Sequence, residues 1–149
     1  IDPSAGIDQA TIDLWQSLDE YQVPRLVVVT HLEKLEADFD DAVMIATRVF
    51  DQMVTPYLVL HDEAGMPAAL IGLSDLEIID YSTTPKTIKE SEEEHQTLVQ
   101  EFRAEYLELL EASGENAFIA GLLFPAIPLW IETGIGVDIV ESYIQQLVL

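Results

Sequence analysis

Two short segments hold the residue types that could work on a ligand: Thr30-His31-Leu32-Glu33-Lys34 and Trp130-Ile131-Glu132-Thr133-Gly134-Ile135-Gly136. Elsewhere the residue types occur without useful spacing. His31, His61 and His95 lie far apart, and none forms a His-x-x-x-His pair, so a metal site is disfavoured. His61 reads as part of a turn and His95 as the exposed first turn of a helix. Asp38, Asp40 and Asp41 lack the spacing and glycine of a calcium loop and read as a helix start. Glu92-Glu93-Glu94 suits a solvated helix N-terminus, favoured by the helix dipole, better than an acid/base dyad. No nucleophile-elbow string is present. With no cysteine there is no thiol nucleophile, disulfide or thiolate ligand. Gly134-Ile135-Gly136 lacks the third glycine of a dinucleotide fingerprint and reads as a turn before the last helix. Trp15 and Trp130 read as packed aromatics rather than base-stacking platforms.

Composition narrows the classes further. The 149 residues carry 28 acidic and 6 basic side chains, a formal net charge of −22. Nonspecific binding to DNA, RNA or anionic lipid needs the opposite sign, because Lys and Arg must displace counterions. A salt-adapted source or an acidified surface would give such a charge, and solubility is its plainest consequence. At 49% hydrophobic and 23% charged, the chain reads as one globular domain. The longest uncharged apolar run, Ala117 to Ile131, falls short of the roughly 18 residues a bilayer span takes. Pro125 and Pro128 also interrupt it. The opening Ile1-Asp2-Pro3 carries no basic region, so no signal peptide is expected, and the absence of cysteine fits a cytoplasmic location.

The two segments must be positioned by neighbouring elements. A helix is expected over Asp8–Glu20, with Asp8 as N-cap and an apolar stripe of Ile12, Leu14, Trp15 and Leu18. Leu26–Val29 is a continuous aliphatic run, the pattern of a strand buried on both faces in a parallel sheet. Asp38 is expected to cap a second helix, with Asp41 in capping-box position and Phe39, Val43, Ile45, Ala46, Val49 and Phe50 on its apolar side. Thr55–Leu60 reads as a strand, and Ala68–Leu73 and Leu76–Tyr81 as a hairpin or small meander. Ser91–Glu94 is a capping box opening one long helix, with Leu98, Phe102, Tyr106, Leu109 and Leu110 on its apolar face and Gly114 as its stop. Leu123–Leu129 is the next buried strand. Asp138–Leu147 makes a closing helix with Val140, Tyr143, Ile144 and Leu147 inward. The result is an α/β domain with an insertion. In such sheets ligands bind beyond the carboxyl ends of the strands, which selects residues 30–34 and 130–136.

Several strings resemble a known family. They are Val23–Lys34 (VPRLVVVTHLEK), Ala37–Asp40, His61–Gly65, Leu70–Leu73, Asp80–Ser82, Phe124–Pro128 and Thr133–Asp138. They are similar to the guanine-nucleotide-binding domain of elongation factor G, and in particular to the actinobacterial elongation-factor-G-like branch of translational GTPases. The resemblance spans the chain, but only the second half of such a domain, from the end of the fourth core strand onward. It implies a partial P-loop GTPase-like sheet flanked by helices, with an inserted α+β subdomain. Residues 1–54 would be partial core, about 55–120 the insertion, and 121–149 the last core strand and helix.

The resemblance also implies roles. The family reads guanine with Asn-Lys-x-Asp, whose carboxylate accepts from the ring N–H and exocyclic amine. Here Thr30, His31 and Glu33 stand in the Asn, Lys and Asp places. Glu33 keeps the charge with one more methylene, Thr30 offers a hydroxyl in place of an amide, and His31 can stack but lacks the lysine stem. Trp130 and Ile131 stand where the family has Ser-Ala, whose backbone N–H meets the guanine carbonyl oxygen. Neither Gly-x-x-x-x-Gly-Lys-Ser/Thr, the phosphate cradle, nor the family's Asp-x-x-Gly occurs in the chain. The expectation is therefore a fragment inactive alone, whose parent uses GTP or GDP with Mg²⁺ and works on the ribosome. The acidic helix Glu92–Ala112 is the expected face for a basic ribosomal protein. The alternative is a stand-alone, non-catalytic binding or structural module on the same fold. Either way the Leu26–Val29 edge invites pairing, through a homodimer or through packing that covers it.

Overall fold

A computed structural model describes residues 1–2, 6–32, 39–50 and 53–148. Its elements in chain order are α1 (Gln9–Glu20), β1 (Val27–Val29), α2 (Phe39–Val49), β2 (Met53–Val54), β3 (Tyr57–His61), β4 (Pro67–Gly72), β5 (Glu77–Asp80), β6 (Thr87–Glu90), α3 (Glu93–Leu98), α4 (Gln100–Ser113), β7 (Phe124–Pro128) and α5 (Val137–Leu147). β1, β7 and β2 form a parallel sheet in that order. β3, β4, β5 and β6 form an antiparallel meander, which with α3 and α4 makes the inserted α+β subdomain.

Local chemistry explains the element ends. Asp8 caps α1 by accepting from the Thr11 N–H at 2.8 Å and the Thr11 hydroxyl at 2.6 Å. Asp62 closes the β3–β4 turn by accepting from the N–H groups of Ala64 and Met66 at 2.9 and 3.0 Å. Gly114, at φ +88°, ends α4 with its N–H on the Leu110 carbonyl.

One core joins the two sheets. Val29, Ile127, Ile135 and Ile139 of the parallel layer pack with Leu70 of the meander. A second cluster packs Val27, Met53, Phe124 and Ala126 of the parallel sheet with Trp15 and Phe50; Trp15 stacks on Phe50 at 4.2 Å and meets Phe124 edge-on. Each large side chain buried this way stabilises the fold by roughly 1.5–3 kcal/mol. Arg25 is buried beside this cluster, over the rings of Trp15 and Phe124 and 2.6 Å from Asp19. Its guanidinium also donates to the Val23 and Trp15 carbonyls.

Several expectations are corrected. The strand expected over Thr55–Leu60 is present but starts later, as β3 at Tyr57: Pro56, with no N–H to give a ladder, separates it from β2, a short strand of the parallel sheet not expected from the sequence. β6 leaves no mark in the sequence pattern, because all four of its residues are exposed and it carries no apolar face. The long helix is two helices, broken at Val99, where φ is −101° and ψ is 4°. Ser91 does not cap it; Glu92 is the N-cap position, and Ser91 instead accepts from the Gln96 side chain. Neither α3 nor α4 buries a residue, and Leu98, Phe102 and Leu109 are exposed. Of the α1 stripe only Trp15 is buried. In α2, Val49 is exposed, and in α5 Ile144 and Leu147 are exposed while Ile139 goes inward. His61 ends β3 rather than lying in the turn, and His95 is half-buried. Asp38 and the side chains of Asp41 and Ile45 lie outside the described residues.

The β1 edge is partly covered. The Ile1 ammonium donates to the Val28 carbonyl at 2.6 Å, and the Thr30 N–H donates to the Ile1 carbonyl at 2.7 Å. Ile1 thus pairs with β1 as a neighbouring parallel strand would.

Candidate functional site

The register of the parallel sheet sets the two candidate segments side by side. Val29 pairs with Pro128, and the Leu129 N–H donates to the Val29 carbonyl at 2.8 Å. The carboxyl ends of β1 and β7 are therefore adjacent, and residues 30–32 lie beside residues 129–131. The topology brings together Thr30, His31, Trp130 and Ile131. Glu33 and Lys34 lie outside the described residues.

Each side chain has a defined environment. Thr30 is half-buried; its hydroxyl lies 3.1 Å from the Ile1 carbonyl and 2.9 Å from His31 Nδ1. His31 has φ +60°, a left-handed conformation, just after the strand. Its ring is exposed, with Nδ1 3.3 Å from Asp2 Oδ2. Leu32 turns inward and is buried in the core. The first segment thus presents an imidazole to solvent and anchors itself by a leucine.

The second segment is a tight turn. The Trp130 N–H donates to the Ile135 carbonyl at 3.0 Å, and the Gly134 N–H to the Ile131 carbonyl at 3.1 Å. Gly136, at φ +80°, must be glycine, because a Cβ there would lie 2.0 Å from the Pro128 carbonyl oxygen. Trp130 packs against the core cluster, as a structural aromatic would, and lines a cavity of about 220 Å³ with Asp62, Tyr81, Ser82 and Ile135. Its indole Nε1 is buried without a hydrogen-bond partner among the described residues. Ile131 points outward, 73% exposed. The indole is thus engaged with the core side, while Ile131 faces solvent.

Three residues next to the site escape sequence reasoning as functional candidates. Tyr81 donates its hydroxyl to Asp138 Oδ1 at 2.7 Å, and Lys86 donates to Asp138 Oδ2. Burial and the Asp138 hydrogen bond push the Tyr81 phenol well above its ordinary pKa. Burial works to raise the Asp138 carboxyl too, but its bonds from Lys86 and Tyr81 outweigh that and hold it below the usual carboxylate value. Asp138 reads from sequence only as the first residue of a helix. Its partners are 57 and 52 residues away, beyond any local pattern. Among the described residues no three His, Asp or Glu side chains gather as a metal site, and no helix is long and apolar enough to cross a membrane.

Comparison with known proteins gives this geometry a context. No protein-family profile matches the chain. It is 28% identical over 156 residues to an elongation factor G-like protein of Mycobacterium tuberculosis, covering 88% of the chain and 21% of that protein. It is 31% identical over 121 residues to the mitochondrial ribosome-releasing factor 2 of Anopheles gambiae, covering 78% of the chain and 16% of that protein. The chain resembles a segment of elongation factor G-like proteins. It spans about a fifth or less of the length of these curated relatives. A crystal structure of a Thermus thermophilus protein superposes on the whole chain with a TM-score of 0.80 at 24% identity, covering 26% of that protein. The fold is accordingly the class expected: α/β, a parallel sheet flanked by helices with an inserted α+β subdomain.

Proposed function

We propose that the chain is the purine end of the guanine-nucleotide-binding domain of an elongation-factor-G-like translational GTPase. The observation that carries this reading is the adjacency of residues 30–31 and 130–131 at the carboxyl ends of two parallel neighbours. That is where an α/β sheet binds ligands. The residues present fit a purine in part. His31 offers an exposed ring for stacking, and Ile131, itself exposed, is assigned the backbone N–H for a carbonyl oxygen. Glu33 is assigned the ring N–H and the exocyclic amine. Charge-assisted bonds of this kind are each worth roughly 1.5–3 kcal/mol.

In this reading the phosphates and Mg²⁺ are held by a glycine-rich loop and hydroxyl that this sequence does not contain. The chain alone then neither grips GTP or GDP tightly nor hydrolyses GTP, and the whole protein acts on the ribosome in the cytoplasm. The domain divides near residues 55 and 120, and the acidic α3–α4 face meets a basic ribosomal protein. A homodimer would use the part of the β1 edge that Ile1 leaves open.

Titration with a fluorescent GDP tests the reading. The isolated chain should show no micromolar affinity. A longer polypeptide joining it to a phosphate loop should bind GDP, and Glu33→Ala in that polypeptide should cut its preference over ADP at least tenfold, as loss of a charge-assisted bond requires. An unchanged preference would refute the assignment. The second reading, a stand-alone non-catalytic module, is favoured by one observation. Thr30 is engaged with Ile1 through both its N–H and its hydroxyl, and the Trp130 indole with the core, so two of the motif positions serve structure.

A further inference from the structure

The turn that carries Trp130 and Ile131 leads directly into α5, whose N-cap position is Gly136 and which has no side-chain cap. A helix start without its own cap needs another source of order. Here that source is the inserted subdomain. Tyr81, just after β5, and Lys86, just before β6, both donate to the carboxylate of Asp138 in the first turn of α5. The phenol therefore holds the first turn of α5 at Asp138, two residues beyond the Gly136 turn. That turn closes on the hydrogen bond from the Trp130 N–H to the Ile135 carbonyl.

We propose that Tyr81 and Lys86 are positioning residues for the Trp130–Gly136 loop, acting through Asp138, so that the inserted subdomain sets the order of that loop. Assigning the loop to a purine rests on the reading above; the latch stands on its own hydrogen bonds. A partner that pulls on the insertion would, by the same contacts, loosen the loop.

Hydrogen–deuterium exchange on the full chain tests this without nucleotide. Tyr81→Phe removes the hydroxyl and little else. It should raise exchange at the Trp130, Gly134 and Val137 amides about tenfold, while the β4 amides of Ala69–Ile71 stay within about twofold. Asp138→Asn keeps an oxygen for the phenol and loses the charge facing Lys86, so it should raise loop exchange by a smaller factor, about threefold. Unchanged loop exchange in Tyr81→Phe, or an equal rise in loop and β4, overturns the latch. Should Tyr81→Phe fail to fold, Asp138→Asn and Lys86→Met decide, and unchanged loop exchange in both overturns it. A loosened loop in a polypeptide that shows no guanine preference supports the latch and refutes only the purine assignment.

Discussion

The parallel layer and the α3–α4 pair are both rich in apolar residues, yet they use them in opposite ways. In the parallel layer Val29, Phe50 and Ile127 are at most 1% exposed, closed in between helices and a second sheet. On the α3–α4 pair Leu98 is 70% and Phe102 44% exposed, and only Tyr106 and Leu110 reach the neighbouring clusters. Periodicity shows that a helix has a face; it does not show that anything covers it. Burial depends on what the topology lays opposite, and here β3–β5 spend their inner faces on the parallel layer and on Val99.

The largest test of this contrast compares two phenylalanines. Phe50→Ala should cost about 3–5 kcal/mol, since it opens a cavity and removes the stack on Trp15. Phe102→Ala should cost less than about 1 kcal/mol, because its side chain already meets water. Urea unfolding of the two variants checks both. A Phe102→Ala cost near that of Phe50→Ala would mean the α3–α4 face is covered.

Next in size is Gly136→Ala. The φ of +80° and the close Pro128 carbonyl leave no room for a Cβ, and the strain should cost about 2–4 kcal/mol in thermal or urea melts. Gly134→Ala serves as the control. It has a similar φ of +82° but open space around a Cβ, so its cost should be about 1 kcal/mol. Equal costs would show that backbone conformation alone, and not the approach to β7, sets the requirement.

Legibility follows the same division. Strands β1 and β7 are readable because a strand buried on both faces is an unbroken run of uncharged apolar residues. Asp8 is readable as a cap because capping is a local hydrogen bond. The Ser91 box fails although its string is right, because Gln96 takes up the serine and the helix begins later. β6 leaves no hydrophobic trace, since an exposed edge strand has no face to bury. At the site, sequence can select the two loops by the rule of strand ends, but not the Tyr81–Asp138–Lys86 contacts. No period or spacing joins residues more than 50 positions apart.

Arg25 probes how the parallel layer tolerates charge. Arg25→Ala should cost about 2–4 kcal/mol, because the guanidinium fills the space over Trp15 and Phe124 and Asp19 loses its partner. Arg25→Met keeps the volume and removes the charge to be desolvated, so its cost should be at least about 1 kcal/mol smaller. If methionine were as damaging as alanine, the ion pair and carbonyl contacts, and not packing, would be what holds this corner.

The smallest expected effect concerns the junction of the two regions, and its sign follows from Asp138. This carboxyl is held below its ordinary value of 3.8 in the folded state, with burial opposing and Lys86 and Tyr81 prevailing. The stability it contributes is therefore fully present above that value, and it is lost as pH falls through the lower folded-state pKa. Asp138→Asn removes the titration. The melting-temperature gap between wild type and Asp138→Asn should be constant from pH 7 to about 5, and should close as pH falls below 3.8. Asp80 confuses the wild-type curve alone, because it too is held low by Ser82, but it is common to both proteins and cancels in the difference. A gap that persists into acid would mean that Asp138 contributes through shape and not charge. The latch would then depend on the Tyr81 hydroxyl alone, and Lys86 would have no part in holding the loop.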